Sequence, residues 1–198
     1  MATSSNTRGI KMNKKLFYGF ILLISVFLLF HQTIQAKAAR KDMVVSAKAG
    51  DTSAELQKLL DYNKDETYDL TVNIPAGSYD LRNELRIYSN TTIKADPNAK
   101  LNKNHQKGSI ITNDLSKDKG GYTTSENITI IGGIWDSANI SRLNSGTESF
   151  RFIHATNITI KDATICNVPQ GSHLITFAGV KDSLIDNCTL YGYVGTTP

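Results

Sequence analysis

Cysteine is nearly absent, with Cys166 and Cys188 the only two in 198 residues. Export would permit a disulfide between them, but they fall at different positions of the repeat described below, so they read as two small buried thiols. Long apolar runs are equally scarce. The longest covers residues 16–30, interrupted only by Gly19 and Ser25, whereas a membrane-spanning helix needs roughly 20 residues. Carboxylates are missing from residues 1–38, which hold Arg8, Lys11, Lys14, Lys15 and Lys37. There is no phosphate loop, no metal-spaced Cys/His cluster and no nucleophile elbow.

These gaps shape what the rest can be. Taking the five leading cations from the 22 basic residues leaves 17 against 18 acidic ones, a net charge of −1. The basic pI belongs to the leader, and no nucleic-acid partner follows from it. Residues 1–38 have the layout of a secretory signal: a Lys-rich start, the apolar stretch, then Ala36-Lys37-Ala38 supplying small residues at a cleavage site. A cleaved leader places the protein outside the cell or on its surface. A retained anchor is the alternative, and membrane contact is expected only through an uncleaved leader. The remaining chain is long enough for one domain with a sizeable core.

In residues 39–69 a short helix is predicted over 54–61. Asp51, Thr52 or Ser53 serves as its cap, and Leu56, Leu59 and Leu60 form one apolar stripe. From residue 70 to 198 the texture changes to short alternating runs broken by Gly, Asn, Asp and Pro, such as Thr71-Val72-Asn73-Ile74 and Phe150-Arg151-Phe152-Ile153. This predicts an all-β domain.

Repetition separates a sandwich from a solenoid. Segments starting at Asn127, Asn157 and Asp182 align without gaps, at offsets of 30 and 25 residues. Ile130, Ile160 and Ile185 share one column, and Trp135, Ile165 and Leu190 share another. Gly133, Ala163 and Cys188 form a small column beside a turn-prone one of Gly132, Asp162 and Asn187. Phe150-Arg151-Phe152 matches Ile175-Thr176-Phe177, again 25 apart. Units of this kind cannot bury their own apolar face and must stack like on like. The expectation is an all-β, right-handed parallel β-helix, a solenoid whose N-terminal coils are capped by the short helix. Because no closing segment follows Tyr191-Gly192-Tyr193, the chain is expected to be C-terminally truncated.

Ala49-Gly50-Asp51-Thr52, then Val72-Asn73-Ile74-Pro75-Ala76-Gly77-Ser78-Tyr79 and Ser89-Asn90-Thr91-Thr92-Ile93-Lys94-Ala95, resemble the opening of the pectate-lyase-like superfamily. The nearest likeness is to polygalacturonase-type glycoside hydrolases and related bacterial surface β-helix proteins, over roughly residues 50–193. The resemblance implies a right-handed β-helix acting on polysaccharide in an open lateral groove. The hydrolase signatures (Asn-x-Asp-Gly, an Asp pair, Gly-His-Gly, Arg-x-Lys) do not occur here, so no catalytic residue is assigned.

Glycoside hydrolysis needs two carboxyl groups about 5–9.5 Å apart, and stacked strands lie about 4.8 Å apart. Asp162 and Asp186 are the nearest pair, although both suit turns. His154 and His173, near strand ends of successive coils, could act as acid or base, but solvated loop histidines are commoner. A lyase-like site would take Ca²⁺. Asp114, Asp118 and Asp136 could contribute to one, without a supporting pattern, and no cofactor is otherwise implied. Tyr88, Tyr122, Tyr191 and Tyr193 could stack on sugars. Asn90, Asn127, Asn139, Asn157 and Asn187 begin Asn-x-Ser/Thr triplets, but a column position makes a turn role simpler. The functional expectation is a polysaccharide-active β-helix protein, hydrolase- or lyase-like, inactive as this chain, with acidic plant or microbial glycan as partner. The alternative is a non-catalytic glycan-binding or structural module.

Overall fold

The structure is a computed structural model that describes residues 40–118, 120–138 and 148–192. The leader, Asn139 and Tyr193 therefore lie outside the described residues. Among those described, no helix is long and apolar enough to cross a membrane.

A strand β1 (Lys41–Ser46) comes first, followed by helix α1 (Ser53–Leu60). The chain then repeats one circuit. Strands β2 (Tyr68–Ile74), β3 (Gly77–Leu81) and β4 (Leu85–Ile87) make the first, and β5 (Thr91–Ala95), β6 (Ala99–Lys103) and β7 (Ile111–Asn113) the second. The third is β8 (Ser125–Ile131), β9 (Ile134–Asp136) and β10 (Phe150–Ile153), and the fourth is β11 (Ala155–Lys161), β12 (Thr164–Cys166) and β13 (Ile175–Ala178). Strands β14 (Leu184–Asp186) and β15 (Thr189–Tyr191) begin a fifth.

Each circuit visits three sheets in the same order. Sheet A is β1-β2-β5-β8-β11-β14, sheet B is β3-β6-β9-β12-β15, and sheet C is β4-β7-β10-β13. Every ladder is parallel. Parallel neighbours need a long crossover, which the other two strands of a circuit supply. An antiparallel sandwich is excluded by that pairing.

The registers reproduce the sequence columns. Ile128 pairs Ile158, and Thr159 pairs Leu184, which are the offsets of 30 and 25. The isoleucine column extends back to Val72 and Ile93. The second column runs Tyr79, Leu101, Trp135, Ile165, Leu190. Ile93, Ile130, Leu101, Trp135 and Ile165 are at most 1% exposed, and each such side chain contributes about 1.5–3 kcal/mol by leaving water. From sheet B to sheet C an edge-to-face aromatic series crosses the interior. Trp135 to Phe150 is 4.9 Å between ring centres, and Phe152 to Phe177 is 5.8 Å. Such pairs add about 0.5–1.5 kcal/mol beyond burial.

Two corner columns hold left-handed backbone. Asn90 and Asp182, ahead of β5 and β14, and Asn127 and Asn157, near the starts of β8 and β11, have φ of 57°, 52°, 56° and 56°. Asn and Asp tolerate this region because their short side chains hydrogen-bond locally. Here they bond along the stack: Asn127 Nδ2 donates to Asn90 Oδ1 (2.9 Å) and Asn157 Nδ2 to Asn127 Oδ1 (2.8 Å). Gly132, Asp162 and Asn187 form the other column, with Asn187 Nδ2 donating to Asp162 Oδ1 at 2.6 Å.

Helix α1 starts one residue before its expected position and carries Thr52 at its N-cap. The Glu55 carboxylate accepts from the Thr52 backbone N–H (2.8 Å) and hydroxyl (3.0 Å), which holds its pKa below the usual range, the backbone bond first. Leu56 and Leu60 are buried, and Leu59 is half-buried. The helix lies against β4, the edge of sheet C. There Gln57 acts as a surrogate strand: its Nε2 donates to Arg86 O (3.0 Å) and its Oε1 accepts from Arg86 N (2.8 Å). An open edge invites foreign pairing, and this amide occupies it. Strand β1, not foreseen from the sequence, pairs with β2 and so covers the corresponding edge of sheet A.

Both cysteines are free, but only Cys166 is buried; Cys188 is half-exposed, which corrects the expectation of two buried thiols.

Candidate functional site

The junction of sheets B and C carries a cleft of about 670 Å³. The link from β3 to β4 provides Arg82 and Glu84, β4 provides Arg86, and the link from β6 to β7 provides His105, Lys107 and Gly108. The site exists because successive circuits leave sheet B at the same corner. Polar loops inserted there stack on one another as the strands do.

Beneath it, Lys103 is 1% exposed and its ammonium donates to Gly108 O at 2.7 Å. Lys103 pairs in register with Leu81, so a cation occupies a column position that is apolar one circuit earlier. Burying a charge is costly without partners. The Glu84 carboxylate is turned to the same loop, where it accepts the Ser109 N–H. Arg82 Nε bonds Asp80 Oδ2 (2.8 Å), and Arg86 Nε lies 3.7 Å from Asp114 Oδ1. The His105 ring nitrogens are shielded from solvent. Burial, and then the Lys103 charge, lowers its pKa, so the imidazole is neutral at pH 7. The result is a cation-framed cleft of the sort that binds carboxylates, since guanidinium forks match carboxylate geometry.

A second cluster sits where sheet C passes into sheet A. His154 follows β10, and its Nδ1 lies 2.9 and 3.0 Å from the two Asp118 carboxylate oxygens. Asp118 also accepts from the Gly120 N–H (2.8 Å) and the Thr124 hydroxyl (2.7 Å). The backbone bond first, then Thr124 and His154, lower its pKa to about 2. Thr156 Oγ1 donates to Tyr122 O at 2.7 Å, and Lys181 Nζ stands 5.6 Å from the Tyr122 ring centre. Two residues singled out for separate reasons, His154 and Asp118, thus meet, while Tyr122 is tied to Thr156 and Lys181 beside them.

Other candidates go elsewhere. His173 precedes β13 whereas His154 follows β10, so they occupy opposite ends of paired strands, roughly 20 Å apart at strand rise. Asp162 is held at a corner by Asn187, and Asp186 lies 3.7 Å from Lys161 Nζ. Asp114 turns toward Arg86, and Asp136 accepts from Asn167 Nδ2 (2.9 Å). Among the described residues no group of three or more His, Cys, Asp or Glu could hold a metal ion. Tyr88 is no sugar platform. It is 5% exposed, its hydroxyl donates to Asp61 Oδ1 at 3.0 Å, and burial raises its pKa. Tyr122 and Tyr191 are exposed.

Sequence reasoning missed the cleft entirely. Its signal was Lys103 in an apolar column and two charged links, residues 82–84 and 104–108, at one corner. No family model, no curated protein and no solved structure matches the chain.

Proposed function

We propose that the chain is part of an exported, polysaccharide-active, right-handed parallel β-helix protein, and that its described circuits bind a uronic-acid glycan. The fixed A-B-C order, the stacked apolar columns and the resemblance to the pectate-lyase-like superfamily support the β-helix. The leader layout supports a secreted or surface location. The observation that carries the ligand class is the cleft, where Arg82, Arg86 and Lys107 frame the single wall carboxylate Glu84. Carboxylates spaced along a polyuronate suit several cations arranged on one corner.

Chemistry is not assigned to these circuits. Asp162 and Asp186 are held by Asn187 and Lys161 as corner and strand-end groups, and those roles suit a scaffold. The reading in which the coils are a non-catalytic glycan-binding or structural module draws support from the same two residues.

Affinity electrophoresis through polygalacturonate tests the proposal. Retardation that weakens with salt and falls in Arg82→Ala/Lys107→Ala is expected; equal mobility with and without polygalacturonate would refute it. Incubation with polygalacturonate is expected to release neither reducing ends nor unsaturated uronate. Release of either would overturn the assignment of these circuits to binding.

A further inference from the structure

The outer face of sheet A holds a groove of about 310 Å³ that the acidic-glycan reading leaves unused. It crosses the strands, from Asp42 on β1 through Thr71 and Thr92 to Thr129, with Asn90, Asn127 and Asn157 along one wall. The register explains its regularity. Thr71 pairs Thr92, Thr92 pairs Thr129, and Thr129 pairs Thr159. The asparagines sit two residues before each of the last three threonines. One file of hydroxyls and one of amides therefore run side by side, repeating at the strand spacing of about 4.8 Å.

The amide file is set before any ligand arrives. The ladder bonds of 2.9 and 2.8 Å fix the asparagine rotamers. A primary amide has two N–H donors and two acceptor sites, and the ladder uses one of each on Asn127. The other donor and acceptor remain for a ligand. Each threonine hydroxyl can also donate and accept. The wall from Thr71 to Asn157 carries no formal charge, whereas Asp42 and Asp69 stand at one end and repel anions there. Leu70 is the one apolar lining residue, so an apolar ligand has little to bury against.

We infer that this groove binds a neutral, linear glycan laid along the stacking direction, its hydroxyls meeting the Asn and Thr files. A polyol offers the same mixture of donors and acceptors, and a polymer repeats them. Contacts then accumulate with each strand crossed, so affinity rises with oligomer length. The inference does not depend on the cationic cleft.

The test titrates the 198-residue chain with soluble β-1,4-linked gluco-oligosaccharides of increasing length, with oligogalacturonates of equal length in a second arm. Amide and methyl NMR shifts are read together with affinity. The neutral series is expected to bind more tightly as it lengthens and to shift Thr92, Thr129 and Asn127. Thr92→Val/Thr129→Val keeps the β-branched shape and removes two hydroxyls. It is expected to weaken binding of the neutral series by roughly thirtyfold, about 1 kcal/mol per hydrogen bond, with unchanged oligogalacturonate binding and thermal midpoint. If the double variant fails to fold, the wild-type shift map decides alone. No binding of the neutral series, shifts elsewhere, or unchanged affinity in the folded variant would each overturn the inference.

Discussion

Replacing Gly132 by Ala isolates one contact on which the corner between sheets A and B depends. Gly132 has φ of +74°, and a Cβ there would lie far inside van der Waals distance of the Ala95 carbonyl oxygen on the circuit before. The left-handed backbone alone costs a non-glycine residue about 1–2 kcal/mol, a cost Asp162 and Asn187 already bear in the same column. Forcing a methyl against a backbone oxygen adds about 1–3 kcal/mol, as overpacking does. The sum is roughly 2–5 kcal/mol, or a drop of roughly 5–20 °C in Tm at about 2–4 °C per kcal/mol for a domain of this size. Gly50→Ala is the control: its φ is +86°, but nothing lies within 4 Å of the added Cβ, so it should cost only about 1–2 kcal/mol. Urea unfolding of the three proteins, with m-values compared, reads both numbers. Equal costs for Gly132→Ala and Gly50→Ala would refute the close approach of adjacent circuits at Ala95.

Other consequences are simpler to state. Gln57→Leu removes both bonds to Arg86 and should cost about 1–3 kcal/mol, with faster hydrogen exchange at the Arg86 amide; unchanged exchange would show that the helix does not close that edge. His105 has a lowered pKa, so on acidification the unfolded chain takes up its proton first, near pH 6.5, and stability falls as pH drops below that value. His105→Gln should flatten this limb in urea midpoints. Asp118 also has a lowered pKa, so its contribution is present above the ordinary carboxylate value of 3.8 and is lost as pH falls toward about 2. Asp118→Asn should remove that limb. Ile185 and Leu190 are 43% and 46% exposed although their columns are otherwise core, so the protein should self-associate, less in Ile185→Asp/Leu190→Asp. A sharp, concentration-independent thermal transition of a monomer would contradict that.

The stack was legible where residues of one type recur at one column, as with Ile130, Ile160 and Ile185. Earlier circuits were harder to align because their lengths vary. The step from Thr91 to Ile128 is longer than that from Leu70 to Thr91, since loops enter between strands without disturbing the ladders. Strand β1 was hidden because its exposure pattern is largely solvent-facing, with Val44 at 67%, and its hydrogen bonds come from pairing with β2. The candidate sites were less legible still. Asp118 and His154 are 36 residues apart and meet only because one circuit sets its corner on the next. The cleft needs two loops 20 residues apart to share a corner. A sequence pattern reports columns of packing, whereas loop chemistry depends on which loops the register superimposes.

The order of stacking is the claim beneath all of this, and inter-strand NMR contacts in sheet A read it directly. Nuclear Overhauser effects should link Val72 to Ile93, Ile93 to Ile130, Ile130 to Ile160 and Ile160 to Ile185, each in a parallel pattern and with none skipping a member. Antiparallel contacts, or a direct contact between Ile93 and Ile160, would contradict the account.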